Sequence, residues 1–187
     1  MKAVLMSIQP KWCELIASGK KTVEVRKSRP KLKTPFKVYI YCTKGKDLLT
    51  MTNGIVNKPN EIVIDLTNEG KIQELNGTVI GEFVCDTFIT DKTFGHDALF
   101  NAAACLSDAD AASYCLNKEM YGWHITDLVI YDEPMVLSEF CRNGECEKCG
   151  WFGQGICFKT GVMNDINKHR VKRPPQSWCY VEERSKQ

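Results

Sequence analysis

The sequence predicts a mixed α+β domain: a small six-stranded β-barrel with a few short helices and a Cys-rich insertion. Three observations lead there. About six segments show the two-residue alternation, or the β-branched and aromatic enrichment, of strands. Helical periodicity is confined to short stretches. Four cysteines crowd into the 17 residues from Cys141 to Cys157, between the last two strand-like segments.

Lys2 to Ile8 alternates, with Val4, Met6 and Ile8 on one face and Leu5 and Ser7 on the other. Pro10 follows where a first helical residue belongs, because its missing N–H is not needed there. Trp12, Leu15 and Ile16 then form an apolar helical stripe. Gly19 ends that helix, where the left-handed conformation favours glycine. Thr22 to Lys27 is the next strand, with Val23 and Val25 on one face and Thr22, Glu24 and Arg26 on the other. Phe36 to Cys42 is rich in β-formers. Gly45 to Asn60 is turn-rich and predicts an insertion or long hairpin, and Ile62 to Leu66 a short strand. Thr78 to Ile89 predicts a long strand carrying Val79, Ile80, Phe83, Cys85 and Thr87 on one pleat. Ala98 to Leu106 and Asp108 to Asn117 predict two short helices, the second capped by Ser107 with Asp110 three residues on. Trp123 to Tyr131 and Ser177 to Glu182 complete the strands.

The chain has 187 residues, enough to bury a core without disulfides, and reads as a single domain over 1–187. Its longest apolar run is about five residues, against the roughly 20 of a membrane span. The first residues lack the apolar stretch of a signal peptide, so a cytoplasmic location is expected. In a reducing compartment ten cysteines argue for thiols or metal ligands over disulfides.

The net charge of +2 hides an asymmetry: from Lys20 to Lys37 there are eight basic residues and one acid, Glu24. A second basic cluster, Lys168, Arg170, Lys172 and Arg173, lies near the C-terminus. If the two converge in space they make a surface for a polyanion; if not, they are solvated faces.

Where the first helix stops and the chain turns into a strand, Lys21, Glu24 and Arg26 fall close together, the last two about 6.5 Å apart along one strand face. That trio suits a phosphate or a polar base edge, or proton transfer; equally, such spacing makes a surface ion-pair ladder. Lys27 adds a further cation beside them. Gln176 and Ser177 are candidates for bonding a base edge or phosphate, and Trp178 for stacking on a base or for filling the barrel core. His124 is a candidate proton carrier or a hydrogen-bonded structural histidine. Cys141, Cys146, Cys149 and Cys157 have a spacing that can enclose a four-thiolate structural zinc, with glycines supplying the turns; this makes 141–157 a candidate zinc-binding insertion.

The stretch SIQPKWCELIASGKKTVEVRK resembles the signature of the ASCH domain, part of the PUA-like superfamily, whose G-x-K-x-x-E-x-R hallmark is matched by Gly19, Lys21, Glu24 and Arg26. YGWHITDLVIYDEP and RPPQSWCYVEE also resemble segments of a bacterial and phage group of these proteins. The resemblance implies a six-stranded barrel with a cleft beside the first helix that takes RNA or modified nucleosides. One branch is similar to acetylcytidine amidohydrolases, in which a lysine and a threonine of this junction are catalytic. Lys21 matches that lysine, but Glu24 stands in place of the threonine, Thr22 is two positions out of phase, and Glu119 is the nearest candidate for a second acid. Another branch is reported as ribonucleases. An RNA- or nucleotide-binding protein is therefore the leading expectation. A hydrolase of a modified nucleoside or RNA, with Lys21 and Glu24 catalytic, is the alternative. A phage-encoded module acting on a host protein is the third.

Overall fold

The computed structural model describes residues 1–63, 71–91, 93, 95–116, 118–142 and 170–184. In chain order these form β1 (Lys2–Ile8), α1 (Pro10–Ala17), β2 (Val23–Arg26), β3 (Phe36–Cys42), β4 (Thr50–Thr52), β5 (Ile55–Val56) and β6 (Ile72–Glu74). There follow β7 (Val79–Asp91), α2 (Ala98–Ala103), α3 (Asp108–Cys115), β8 (Met120–Met135) and β9 (Trp178–Glu182).

Six strands make the main sheet in the order β2-β8-β7-β3-β1-β9. Only the β1–β3 pair is parallel, joined across α1 and β2; the other neighbours are antiparallel. The strand number is as expected, but backbone pairing does not close the sheet into a barrel: among the described residues β2 and β9 remain edges. Side chains bridge them instead. Arg26 of β2 donates to Ser7 O of β1 at 2.6 Å, and Trp178 Nε1–H of β9 donates to Ser28 Oγ at 3.2 Å. The main core lies on the concave face, where Val4, Met6 and Ile8 meet Val38, Ile40, Phe83 and Trp123. The opposite face of β1 is buried too, through Ala3 and Leu5 against Tyr39, Phe140 and Val181.

The two long strands keep this curl through irregularities. Pairing of β7 with β8 shifts register at three places, one between Cys85 and Phe88. Thr87 is therefore exposed, and Phe88 takes the inward place expected for it. In β8, Asp127 has a φ of 47°, and the inward parity moves from Ile125 to Leu128 across it. A side chain at Gly81 would run into the Val129 carbonyl, so only glycine allows that approach.

Between β3 and β7, β4, β5 and β6 form a second small sheet, the hairpin turning at Asn53-Gly54, both with positive φ. Leu49, Met51 and Leu75 anchor it in the main core, which makes it an appendage of the same domain. Ile62 and Val63 lie outside any strand; the remainder of that expected strand lies outside the described residues. Helices α2 and α3 pack on the outer face of β2, where Phe100, Ala104, Ala111 and Cys115 cover Val23 and Val25. The Ser107 side chain caps α3 by accepting from Asp110 N–H, as its spacing predicts. No helix among the described residues is long and apolar enough to cross a membrane.

Candidate functional site

The junction after α1 is set by its backbone. Gly19 takes a φ of 73° and its N–H bonds Ile16 O, closing the helix. Lys21 N–H returns to Leu15 O, and Thr22 N–H bonds Ala103 O at the end of α2. The first turn of the new strand is thus clamped between two helix ends. Lys21 then points inward, only 3% exposed, and its ammonium donates to Ala104 O at 2.6 Å. The last carbonyls of a helix have no partner within it, so Ala104 O is a ready acceptor for a cation.

Glu24 lies two residues into β2 on the face opposite Val23 and Val25, opposite Trp123 in register. One carboxylate oxygen is 3.5 Å from Lys21 Nζ and the other 2.9 Å from Arg26 NH2. Arg26 also reaches Ser177 Oγ at 3.4 Å. Two cations therefore share one buried carboxylate, leaving one positive charge uncompensated within the trio. Burial pushes the Lys21 ammonium below its ordinary value; the Glu24 charge opposes this and does not cancel it.

The trio forms the floor of a cleft of about 610 Å³. Trp12 of α1 and Tyr114 of α3 stand in its walls. Lys11 Nζ lies 4.6 Å and Lys21 Nζ 5.0 Å from the Trp12 ring centroid, and Lys27 Nζ 4.8 Å from that of Tyr114. Asp110 and Ser113 of α3 and Gln176 before β9 complete the polar lining. This size is in the range of small-molecule sites, and the lining is mostly polar and charged, with Trp12, Tyr114, Val25 and Leu106 as its apolar part.

The structure thus brings Lys21, Glu24, Arg26, Lys27 and Gln176 into one hollow, with Ser177 bonded to it through Arg26. Three candidates fall elsewhere. Trp178 packs edge-on against Trp123 and Tyr180, each about 5–6 Å away, because β9 turns that side chain to the core. His124 of β8 lies opposite Val23 of β2 in register and pairs with Asp86 at 2.8 Å, outside the cleft lining. Glu119 accepts from the Tyr121 hydroxyl on the surface and does not line the cleft. The aromatic walls were missed in sequence. Trp12 falls on the apolar helix stripe in sequence, although the fold buries Cys13 and Ile16 of that helix more deeply. Tyr114 carried no signal beyond a short helix.

Of the cysteine set, Cys146, Cys149 and Cys157 lie outside the described residues, as do Lys168 and His169. Cys141 is described: it forms an isolated antiparallel bridge with Arg170, and burial raises its thiol above the usual value. Among the described residues no cluster of three potential ligands could hold a metal.

Residues 6–91 match the family model of the ASCH domain. The later segments beginning at Tyr121 and Arg173 lie beyond that match. The whole chain is similar to the crystal structure of ASCH from Zymomonas mobilis, with a TM-score of 0.57 at 16% identity, covering 97% of this chain and 88% of that one. Two single-substitution variants of the same Zymomonas mobilis protein also give a TM-score of 0.57. One is 16% identical and covers 98% of this chain and 92% of its own; the other is 15% identical and covers 97% and 89%. At such identities the likeness bears on the fold alone. No curated protein matches the chain.

Proposed function

We propose that this chain, whose residues 6–91 match the ASCH domain model, binds RNA or a nucleotide through the cleft beside α1. One observation carries this reading: the buried Lys21–Glu24–Arg26 trio, positive by one charge, lies between two aromatic rings in a hollow large enough for a nucleotide. The cations take a phosphate or a carbonyl edge, Glu24 accepts from an exocyclic amine, and Trp12 and Tyr114 stack on the base. The test is equilibrium binding of mononucleotides and short RNA to the full chain and to Trp12→Ala and Arg26→Ala. Equal affinity for all three proteins would refute it.

A second reading, hydrolysis of a modified nucleoside or RNA, draws on the lowered proton affinity of Lys21 beside Glu24. In it Lys21 activates water or holds the leaving group and Glu24 moves the proton. Incubation with acylated nucleosides and RNA, read by mass spectrometry, separates the two: product that disappears in Lys21→Ala establishes turnover. The phage-type interaction role has no supporting observation among the described residues.

A structural zinc on Cys141, Cys146, Cys149 and Cys157 is a further proposal. Beyond the spacing, it is supported by the Cys141–Arg170 bridge, which sets the two ends of the intervening segment side by side.

A further inference from the structure

The cleft takes one base, yet the charge beside it extends further than one phosphate needs. Past Lys27 at the rim, the β2–β3 loop places Arg29, Lys31 and Lys33 outward, while Pro30 is buried and Leu32 packs on the main core. The loop is fastened across the open edge of the sheet: Ser28 Oγ accepts from Trp178, and Lys31 N–H donates to the Tyr180 hydroxyl at 2.9 Å. The Arg29 guanidinium lies 5.6 Å from the Phe88 ring centroid and 5.7 Å from that of Tyr121. Among the described residues none of Lys27, Arg29, Lys31 and Lys33 is in an ion pair with an acid.

Four cations on seven residues repel one another within a screening length of roughly 8 Å at physiological salt. An anchored loop cannot relax by spreading them. Such an arrangement gains most from a ligand with several linked negative charges, because each neutralised phosphate releases condensed counterions. Its continuity with the cleft through Lys27 decides which polyanion: one whose single units also fit between aromatic rings.

We propose that the β2–β3 loop is a phosphate-tracking ridge, and that the ligand of the cleft is therefore a single-stranded oligonucleotide, one base held between Trp12 and Tyr114 and the adjoining backbone laid along Lys27, Arg29, Lys31 and Lys33. This rests on the nucleotide reading of the cleft and names its substrate class. Loop cations supply affinity that grows with strand length; the cleft supplies the contact with one unit.

The experiment compares mononucleotides with single-stranded RNA of about ten nucleotides, over a salt series, on the full chain, on the double variant Lys31→Ala/Lys33→Ala and on Trp12→Ala. The oligomer is expected to bind at least about tenfold tighter than any mononucleotide at low salt, with a salt slope that falls by about 1.4 in the double variant, or about 0.7 per lost phosphate contact. Mononucleotide affinity should not change in that variant, whose residues are exposed, and thermal melting checks that it folds. Equal slopes for both proteins, or no gain with strand length, would overturn the ridge while leaving a mononucleotide cleft standing. Length-dependent binding that is indifferent to Trp12→Ala would keep the ridge and remove the cleft reading. Binding of neither probe would overturn both, as would ridge-dependent binding to phosphatidylserine vesicles in place of RNA.

Discussion

The Lys21 ammonium and the Glu24 carboxylate meet at 3.5 Å with both side chains almost wholly withdrawn from water. Neither ion would be stable there alone. The pair holds because Arg26 shares the carboxylate at 2.9 Å and Ala104 O accepts a hydrogen bond from the ammonium. Removing the shared anion should then do more damage than removing either cation. Glu24→Ala leaves two buried cations facing each other, and a loss of about 3–5 kcal/mol of stability is expected. Glu24→Gln, which keeps an acceptor, should lose less. Urea unfolding measures both; a loss for Glu24→Ala of under about 1 kcal/mol would show that the trio is not energetically joined.

Alkaline pH should weaken anion binding early. An anion on the floor needs the Lys21 ammonium, whose folded value is lowered by burial. Affinity is therefore expected to fall as pH rises through a range below the ordinary lysine value of about 10.4. Lys21→Arg, which stays charged, should lack that fall. For stability the same shift has the opposite sign: the unfolded chain binds more protons in this window, so Lys21 favours the fold more as pH rises through it. Tyr39, Tyr41, Tyr114 and Tyr131 are shifted up by burial, so their contribution is present below about pH 10 and is lost above it. Binding titrations and melting curves over the same pH series test both directions.

The two tryptophans should separate function from folding. Trp12→Ala removes a wall of the cleft and should lower affinity by about 1–3 kcal/mol, the range of one base stack. Trp178→Ala removes a ring packed on Trp123 and Tyr180, and should cost about 3 kcal/mol of stability. Affinity and urea midpoints measured on both variants check the contrast; the reverse pattern would return the stacking role to Trp178.

Gly122 lies where β8 passes beneath α2. A methyl group there would stand 2.6 Å from both Phe100 and Val23. Gly122→Ala should cost about 1–3 kcal/mol by overpacking. It should also move α2, and with it the Ala104 carbonyl that receives Lys21. Reduced affinity with a shifted melting temperature is expected; a melting shift alone would show that the helix end does not set the lysine.

Protein expressed without added zinc should carry about one equivalent of the metal if the four cysteines form a closed tetrahedral site. Elemental analysis of the full chain decides this. Cys149→Ser should abolish the metal and leave the cleft's binding intact, since Cys141 lies at the bridge to Arg170 and not in the cleft lining.

Local patterns made much of this fold readable. β1 and β3 match their expected limits: β1 carries a two-residue pattern that stops short of Pro10, and β3 is a run of β-branched and aromatic residues that stops at Cys42. The junction motif also placed three charged heads near one another, since parity alone sets Glu24 beside Arg26 and a glycine ends the helix before Lys21. What stayed hidden depends on contacts remote in sequence. The Ala104 acceptor is 83 residues from Lys21, and the Tyr114 wall belongs to a helix whose packing on β2 no local period reports. Parity failed for Thr87 because a bulge has no mark of its own in sequence. Trp178 is open between stacking and core in sequence for a related reason: a tryptophan beside basic residues looks the same whether its ring faces solvent or the core.

Arg26 has two attachments, one to the floor at Glu24 and one across the rim to Ser7 and Ser177. If the cleft binds as proposed, one guanidinium is both receptor and rivet. By reciprocity, an occupant that strengthens its hold on Glu24 and Ser7 stiffens the joint between β2 and β1, and anything that pries the joint apart releases the occupant. On that reading the sheet's mechanical integrity and its chemical recognition are one coupled equilibrium.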